Sequence, residues 1–163
     1  MNDIKGTLVT INKDITADMI CSPEYQTESD PVQLAGHVFE NIGNGFPKRL
    51  ADASILVAGS GFGHDAVSDL PVRALQAAGI KCIIASDYDR GFFRIGINNG
   101  LALIEADILE KVSDGDTISL SLSRGKIACN EEEISFASYP EQVCSIIENG
   151  GLLQAVKAQL GKV

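Results

Sequence analysis

Short apolar runs divided by polar turns predict a chain that alternates strands and helices. Lys5 to Ile11 alternates apolar and polar residues and reads as a first strand. Asn12-Lys13-Asp14 reads as a turn. Ile15 to Ile20 reads as a loop running into a short extended piece, broken at Ser22-Pro23. Asp30-Pro31 sets an N-cap residue before a proline at the first helical position. It predicts a helix to about Glu40 with an apolar stripe at Leu34, Val38 and Ile42. Gly43 to Pro47 reads as a loop. Ile55-Leu56-Val57-Ala58 is an unbroken apolar run, β-branched at Ile55 and Val57, as a buried strand requires.

Beyond that strand, Leu70 to Ala78 reads as a helix ended by Gly79, with Leu75 and Ala78 facing inward. Lys81 to Ala85 is the next buried strand, and strand–helix–strand at this spacing is a βαβ unit. Asp89 to Asn98 predicts a further helix, closed by Asn99-Gly100, and Leu101 to Ile104 a further strand. After Ile108 to Val112, Ser113-Asp114-Gly115-Asp116 marks a turn. Thr117 to Leu122, Lys126 to Asn130 and Ile134 to Phe136 predict an antiparallel section. Pro140 to Glu148 and Leu152 to Leu160 predict two terminal helices. The order of elements gives a mixed α/β domain, with a parallel βαβ core, an antiparallel β section and flanking helices. The expectation is one domain over residues 1–163.

Between the apolar strand and the helix at Leu70 the chain reads Gly59-Ser60-Gly61-Phe62-Gly63-His64-Asp65-Ala66-Val67-Ser68-Asp69. A strand that empties through glycines into a helix start exposes backbone N–H groups near a positive dipole end, a place suited to a phosphate or carboxylate. A tight turn with no ligand fits the same residues, and both readings stand at this point. The nucleotide fingerprints do not fit: position 64 is His where G-x-G-x-x-G needs glycine, and no G-K-[ST] follows.

Charge narrows the partners. The chain of 163 residues carries a formal net charge of −9, and its field repels nucleic acid and anionic membranes. No apolar run approaches the roughly 20 residues that span a bilayer. The N-terminus lacks a basic and apolar leader, so a cytoplasmic location is expected. Cys21, Cys82, Cys129 and Cys144 are scattered without a C-x-x-C pair, and the histidines are only His37 and His64. A metal centre held by this chain alone is therefore not expected.

Taken together, the pieces resemble the small subunit of 3-isopropylmalate dehydratase, equivalent to the swivel domain of the aconitase superfamily. Asp14-Ile15-Thr16-Ala17-Asp18-Met19-Ile20 is similar to the family's D-x-D-T-D-x-I stretch. Tyr25 through Ser29-Asp30-Pro31 is similar to its Y-x-x-x-S-D-P helix entry. Ile55 to Gly63 fits I-L-V-A-G-x-x-F-G, and Gly79 to Ala85 fits its next strand. Phe92 followed by Asn98-Asn99-Gly100-Leu101 fits F-x-x-x-x-x-N-N-G-L, and Gly150-Gly151-Leu152 fits the terminal G-G-L. The resemblance covers nearly the whole chain. It implies a swivel-type domain working in the leucine pathway with a separate large subunit, which carries a [4Fe–4S] cluster on its own cysteines. The pair dehydrates and rehydrates a small hydroxy acid, with Lewis-acid activation of the leaving hydroxyl and a base that removes the α-proton. No cofactor is implied for this chain itself.

In the family the base and a cationic clamp lie in a G-C-G-S-S-R-E motif. Aligned without gaps, that motif falls on Gly63 to Asp69. The two serine positions are then Ala66 and Val67, and the arginine position is Ser68. Asp65 and Asp69 add carboxylates where the family binds an anion, and Glu24 stands where an arginine often precedes the tyrosine. The catalytic residues are thus unassigned. The candidate substrate contacts are Gly61, Phe62, Gly63, His64, Asp65, Ser68, Asp18 and Tyr25. Arg73 and Arg90 are the nearest basic residues. Arg73 is expected on a solvated helix face, Arg90 lies at the strand ends where open α/β sheets bind ligands, and surface charge is the expected role of both. Two functions remain: a divergent hydro-lyase subunit, or a catalytically degenerate paralogue that binds, regulates or self-associates.

Overall fold

The computed structural model describes residues 3–12, 14–40, 42 and 46–161. Strands β1 (Asp3–Ile11), β2 (Ile55–Ala58), β3 (Cys82–Ala85), β4 (Ala102–Glu105), β5 (Thr117–Ser121), β6 (Lys126–Cys129) and β7 (Glu132–Ser135) share one sheet. Their order is β4-β3-β2-β1-β5-β6-β7. β1 joins two halves. It pairs in parallel with β2, which continues to β3 and β4 in the same sense. Its other edge is antiparallel to β5, followed by β6 and β7. This is the mixed sheet that the apolar runs and turns predict.

The apolar runs do not alternate because both of their faces are covered. Leu56, Ala58, Ile83, Ala85 and Leu103 point into one core with the helices, while Ile55, Val57, Ile84 and Ile104 point into another. Ile118, Leu120 and Ile127 of the antiparallel half extend that second core. β6 turns into β7 through Asn130 and Glu131, at φ 49° and 68°. Two successive left-handed residues make the twist that suits a two-residue hairpin. Glu132 and Glu133 lie exposed on the edge strand, where charge discourages further pairing.

Helices α4 (Leu70–Ala77), α5 (Arg90–Asn98), α6 (Glu141–Glu148) and α7 (Leu152–Leu160) fall where expected. The first part of the chain differs at α1 (Ala17–Ile20), α2 (Pro31–His37) and α3 (Phe46–Ala51). The piece expected to be extended before Ser22 is one helical turn. Thr16 caps it by accepting from the Met19 amide at 3.3 Å, and the Met19 sulfur accepts from the Thr16 amide at 3.5 Å. A thioether here fills the place a Glu takes in a capping box, which hides the signal. α2 stops three residues short of Glu40. Phe39 adopts φ 54°, donates its amide to the Ile20 carbonyl at 2.8 Å, and buries its ring edge-on to Phe46. Part of the expected loop Gly43 to Pro47 is the start of α3, since a proline in a first turn breaks no helical bond. Residues 43–45 of that loop, and Lys13 of the expected turn at 12–14, lie outside the described residues.

Candidate functional site

The glycine turn sits at the C-terminal end of β2, beside the ends of β1 and β3. Gly61 and Gly63 hold φ 69° and 86°, and Asp65 follows at φ 65°. Each glycine also makes room for a ring. A Cβ on Gly61 would overlap the His64 imidazole, and one on Gly63 would overlap Phe92. The Phe62 ring is buried and packs edge-to-face on Phe92 at 5.4 Å. Phe62 therefore contributes only backbone to the surface of the turn.

The amides of Gly61 to His64 are already engaged. Gly61 donates to Asp87 Oδ1 at 2.5 Å, and the Ser60 hydroxyl donates to Asp87 Oδ2 at 2.9 Å. Phe62 donates to the Asp87 carbonyl at 3.2 Å. The amides of Gly63 and His64 both reach the Ile15 carbonyl, at 2.9 and 3.2 Å. The His64 carbonyl in turn accepts from Ala17 at 2.7 Å. At the helix entry, Leu70 donates to Ser68 Oγ at 3.2 Å, and Pro71 has no N–H to offer. The anion suited to this turn is present as the chain's own Asp87 carboxylate.

Ala17, Asp18, Asp65, Val67 and Ser68 line a cleft of about 40 Å³ between α1 and the entry of α4. Ser68 donates to Gln26 Oε1 at 2.9 Å, so its hydroxyl both accepts and donates within the chain. Val67 is 94% exposed at the rim. Arg73 is not on a solvated face. Its side chain is 30% exposed; Nε donates to Asp69 at 3.1 Å, and Nη1 and Nη2 donate to the carbonyls of Glu28 and Gln26 at 3.1 and 3.3 Å. A guanidinium has five donors in a fixed fork, and here it staples the 26–28 loop to α4.

The structure thus brings Asp18, Asp65 and Ser68 together in one cleft and places His64 exposed beside it. Tyr25 belongs to another group. It stacks on His37 at 4.0 Å, and its hydroxyl donates to Glu40 at 3.1 Å. Burial and that bond push the Tyr25 phenol up to about 12. The 2.8 Å bond from His37 holds the Glu40 carboxyl below its ordinary value.

On the other side of the turn, Arg90, Gly91 and Arg94 line an open groove of about 410 Å³. Sequence reasoning missed Asp87, Gln26 and Arg94 here. The spacing of Arg94, four residues from Arg90 in a helical pattern, was a usable signal. Nothing in sequence announces that Asp87 folds back on the turn.

The four cysteines are buried and far from forming a ligand set; among the described residues no three His, Cys, Asp or Glu side chains converge on a metal position. Burial raises the thiol of Cys21 and, more strongly, that of Cys82. The residues present do not fit an iron–sulfur cluster. No helix among the described residues is long and apolar enough to cross a membrane.

A parallel sheet fused through β1 to an antiparallel one, with a glycine turn at the end of β2, defines a swivel-type α/β protein. Comparison with known proteins gives the particular family. The chain is 32% identical over 157 residues to the 3-isopropylmalate dehydratase small subunit of Halothermothrix orenii, covering 94% of this chain and 95% of that one. It is 34% identical to the small subunit of Aliarcobacter butzleri, with 99% of each chain covered. The crystal structure of 3-isopropylmalate dehydratase from Methanocaldococcus jannaschii superposes with a TM-score of 0.85 at 30% identity, covering 97% of this chain and 95% of that one. No family model matches the sequence. The chain belongs to the family of 3-isopropylmalate dehydratase small subunits.

Proposed function

We propose that this chain is one swivel-type domain and the small subunit of a hydro-lyase that acts on a small hydroxy acid together with a large subunit. The observation that carries this reading is the end-to-end match: relatives named as small subunits align over almost their whole length, and the fold follows them. The [4Fe–4S] cluster of such a complex belongs on the partner, because the buried, separated cysteines here cannot hold one. The chain's own part is to close over the reacting groups and fix the substrate's position. The turn supplies shape, with Gly63 seated on Phe92 and the cleft rim at Asp65 to Ser68.

The test is co-expression with a large subunit, followed by purification of the complex and an assay of 3-isopropylmalate turnover. Turnover in the complex and none with the chain alone is the expected result. A specific observation favours the degenerate alternative: the Ser68 hydroxyl is held between Gln26 and the Leu70 amide, and positions 66 and 67 are alanine and valine. A stable but inactive complex would support it, and failure to bind any large subunit would remove both the hydro-lyase reading and its partner.

A further inference from the structure

The groove on the α5 side of the turn has a chemistry that the cleft on the α4 side lacks. Arg90 and Arg94 stand one helical turn apart and line the same groove, with Gly91 between them. Residues four apart on a helix share a face, so the two guanidinium groups flank a floor without a side chain. Both arginines are exposed, and neither has an ion-pair or hydrogen-bond partner among the described residues. The other arginines nearest the strand ends are engaged. Arg73 holds Asp69 and two loop carbonyls, and Arg49 pairs with Asp114 while donating to the Thr10 carbonyl.

The groove also abuts the turn. A Cβ built on Gly91 would stand 3.6 Å from the Ala66 carbonyl oxygen, so the first turn of α5 packs directly on position 66. Two arginines without an ion-pair partner among the described residues are unusual in a chain of net charge −9. Arg90 is also in the first turn of α5, where the helix dipole disfavours a cation until an anion joins it. The neighbouring Asp89 carboxylate caps the Phe92 amide at 3.1 Å and lies beside the groove floor, its Oδ2 3.2 Å from a Cβ built on Gly91, but it makes no ion pair with either arginine.

We propose that Arg90 and Arg94 form a binding site for a small carboxylate, set beside Ala66, and that it supplies the charge pairing the turn itself lacks. The identification of that carboxylate with one on the hydroxy-acid substrate rests on the function proposed above. Paired guanidinium groups suit planar carboxylates, and a groove of about 410 Å³ admits a dicarboxylic acid of a few carbons.

The full chain can be titrated with malonate at constant ionic strength, while arginine Nε–H and backbone amide resonances are followed by NMR. The expected result is that the side-chain signals of Arg90 and Arg94 and the amides of Gly91 and Ala66 move together with one dissociation constant. Arg90→Gln combined with Arg94→Gln weakens that binding about tenfold or more. Lys126→Gln, in the antiparallel half, leaves it unchanged. Equal affinity in the double variant, or shifts that chloride reproduces at the same ionic strength, would overturn the proposal. Arginine signals that respond only to a bound large subunit would overturn it too, by assigning the pair to an interface. Because binding is read on the chain alone, loss of the dehydratase reading leaves this result standing, and the reverse also holds.

Discussion

The two sides of the glycine turn differ in what their polar groups are doing. Toward α4, the hydroxyl and the guanidinium at the helix entry are engaged, Ser68 with Gln26 and Leu70 and Arg73 with Asp69 and the 26–28 loop, and the charges left over there, Asp18 and Asp65, are negative. Toward α5, two arginines have none among the described residues. A satisfied network fixes a shape, whereas an unsatisfied charge beside it is available for a ligand.

The contrast can be broken hardest at Gly63. Gly63→Ala puts a methyl into Phe92 at a left-handed position and is expected to cost about 3 kcal/mol, from overpacking and backbone strain together. A urea midpoint close to that of the parent chain would show that the turn is softer than described. Next, Arg73→Gln removes three charge-assisted bonds and is expected to lower stability by about 2 kcal/mol. Arg90→Gln and Arg94→Gln, which break nothing in the fold, should each stay within about 0.5 kcal/mol by the same measurement. Similar losses for all three variants would erase the difference between the two sides.

Asp87→Asn tests the internal anion. It keeps one acceptor but loses the charge facing Ser60 and Gly61, for an expected cost of about 1 kcal/mol. The Gly61 amide resonance should move upfield, and an unchanged resonance would mean the carboxylate does not hold the turn in solution.

A pH-dependent effect belongs to the engaged pair at the end of β1. Burial raises the Asp114 carboxyl, but its bonds to Thr10 and Arg49 outweigh that and hold it below its ordinary value. A carboxyl depressed in the fold stabilises above its unfolded pKa of 3.8, and the gain is lost as pH falls through the lower folded value. The pair is partly exposed, so the expected contribution is under about 1 kcal/mol. Acid unfolding curves should show that Asp114→Asn flattens the slope below pH 3.8. An unchanged slope would place the acid sensitivity elsewhere.

The fold was legible wherever burial dictated composition. The unbroken runs Ile55–Ala58 and Cys82–Ala85 have no polar residue because both faces are covered. The misses lie where one long-range contact overrides a local tendency. Phe39 ends α2 by turning to Phe46 and Ile20, and Met19 caps α1 with sulfur. The departures at 66–68 were readable against the family motif, and Arg90 was readable at a strand end, but the internal anion was not. Ser60 and Asp87 are 27 residues apart, and only the fold brings that carboxylate onto the turn.

The place of β1 has a consequence for the order in which the chain acquires structure. Its parallel partner arrives with Ile55, opposite Leu8, but its antiparallel partner begins only with Thr117, opposite Thr7. During synthesis the first strand emerges with both edges open, and the second edge closes after most of the chain has left the ribosome. Contacts so distant in sequence form late and slowly. Pulsed hydrogen exchange during refolding should therefore protect Val9 and Ile11 before Leu8, whose amide donates to the Asp116 carbonyl at 2.9 Å, splitting one continuous strand into an early part and a late part.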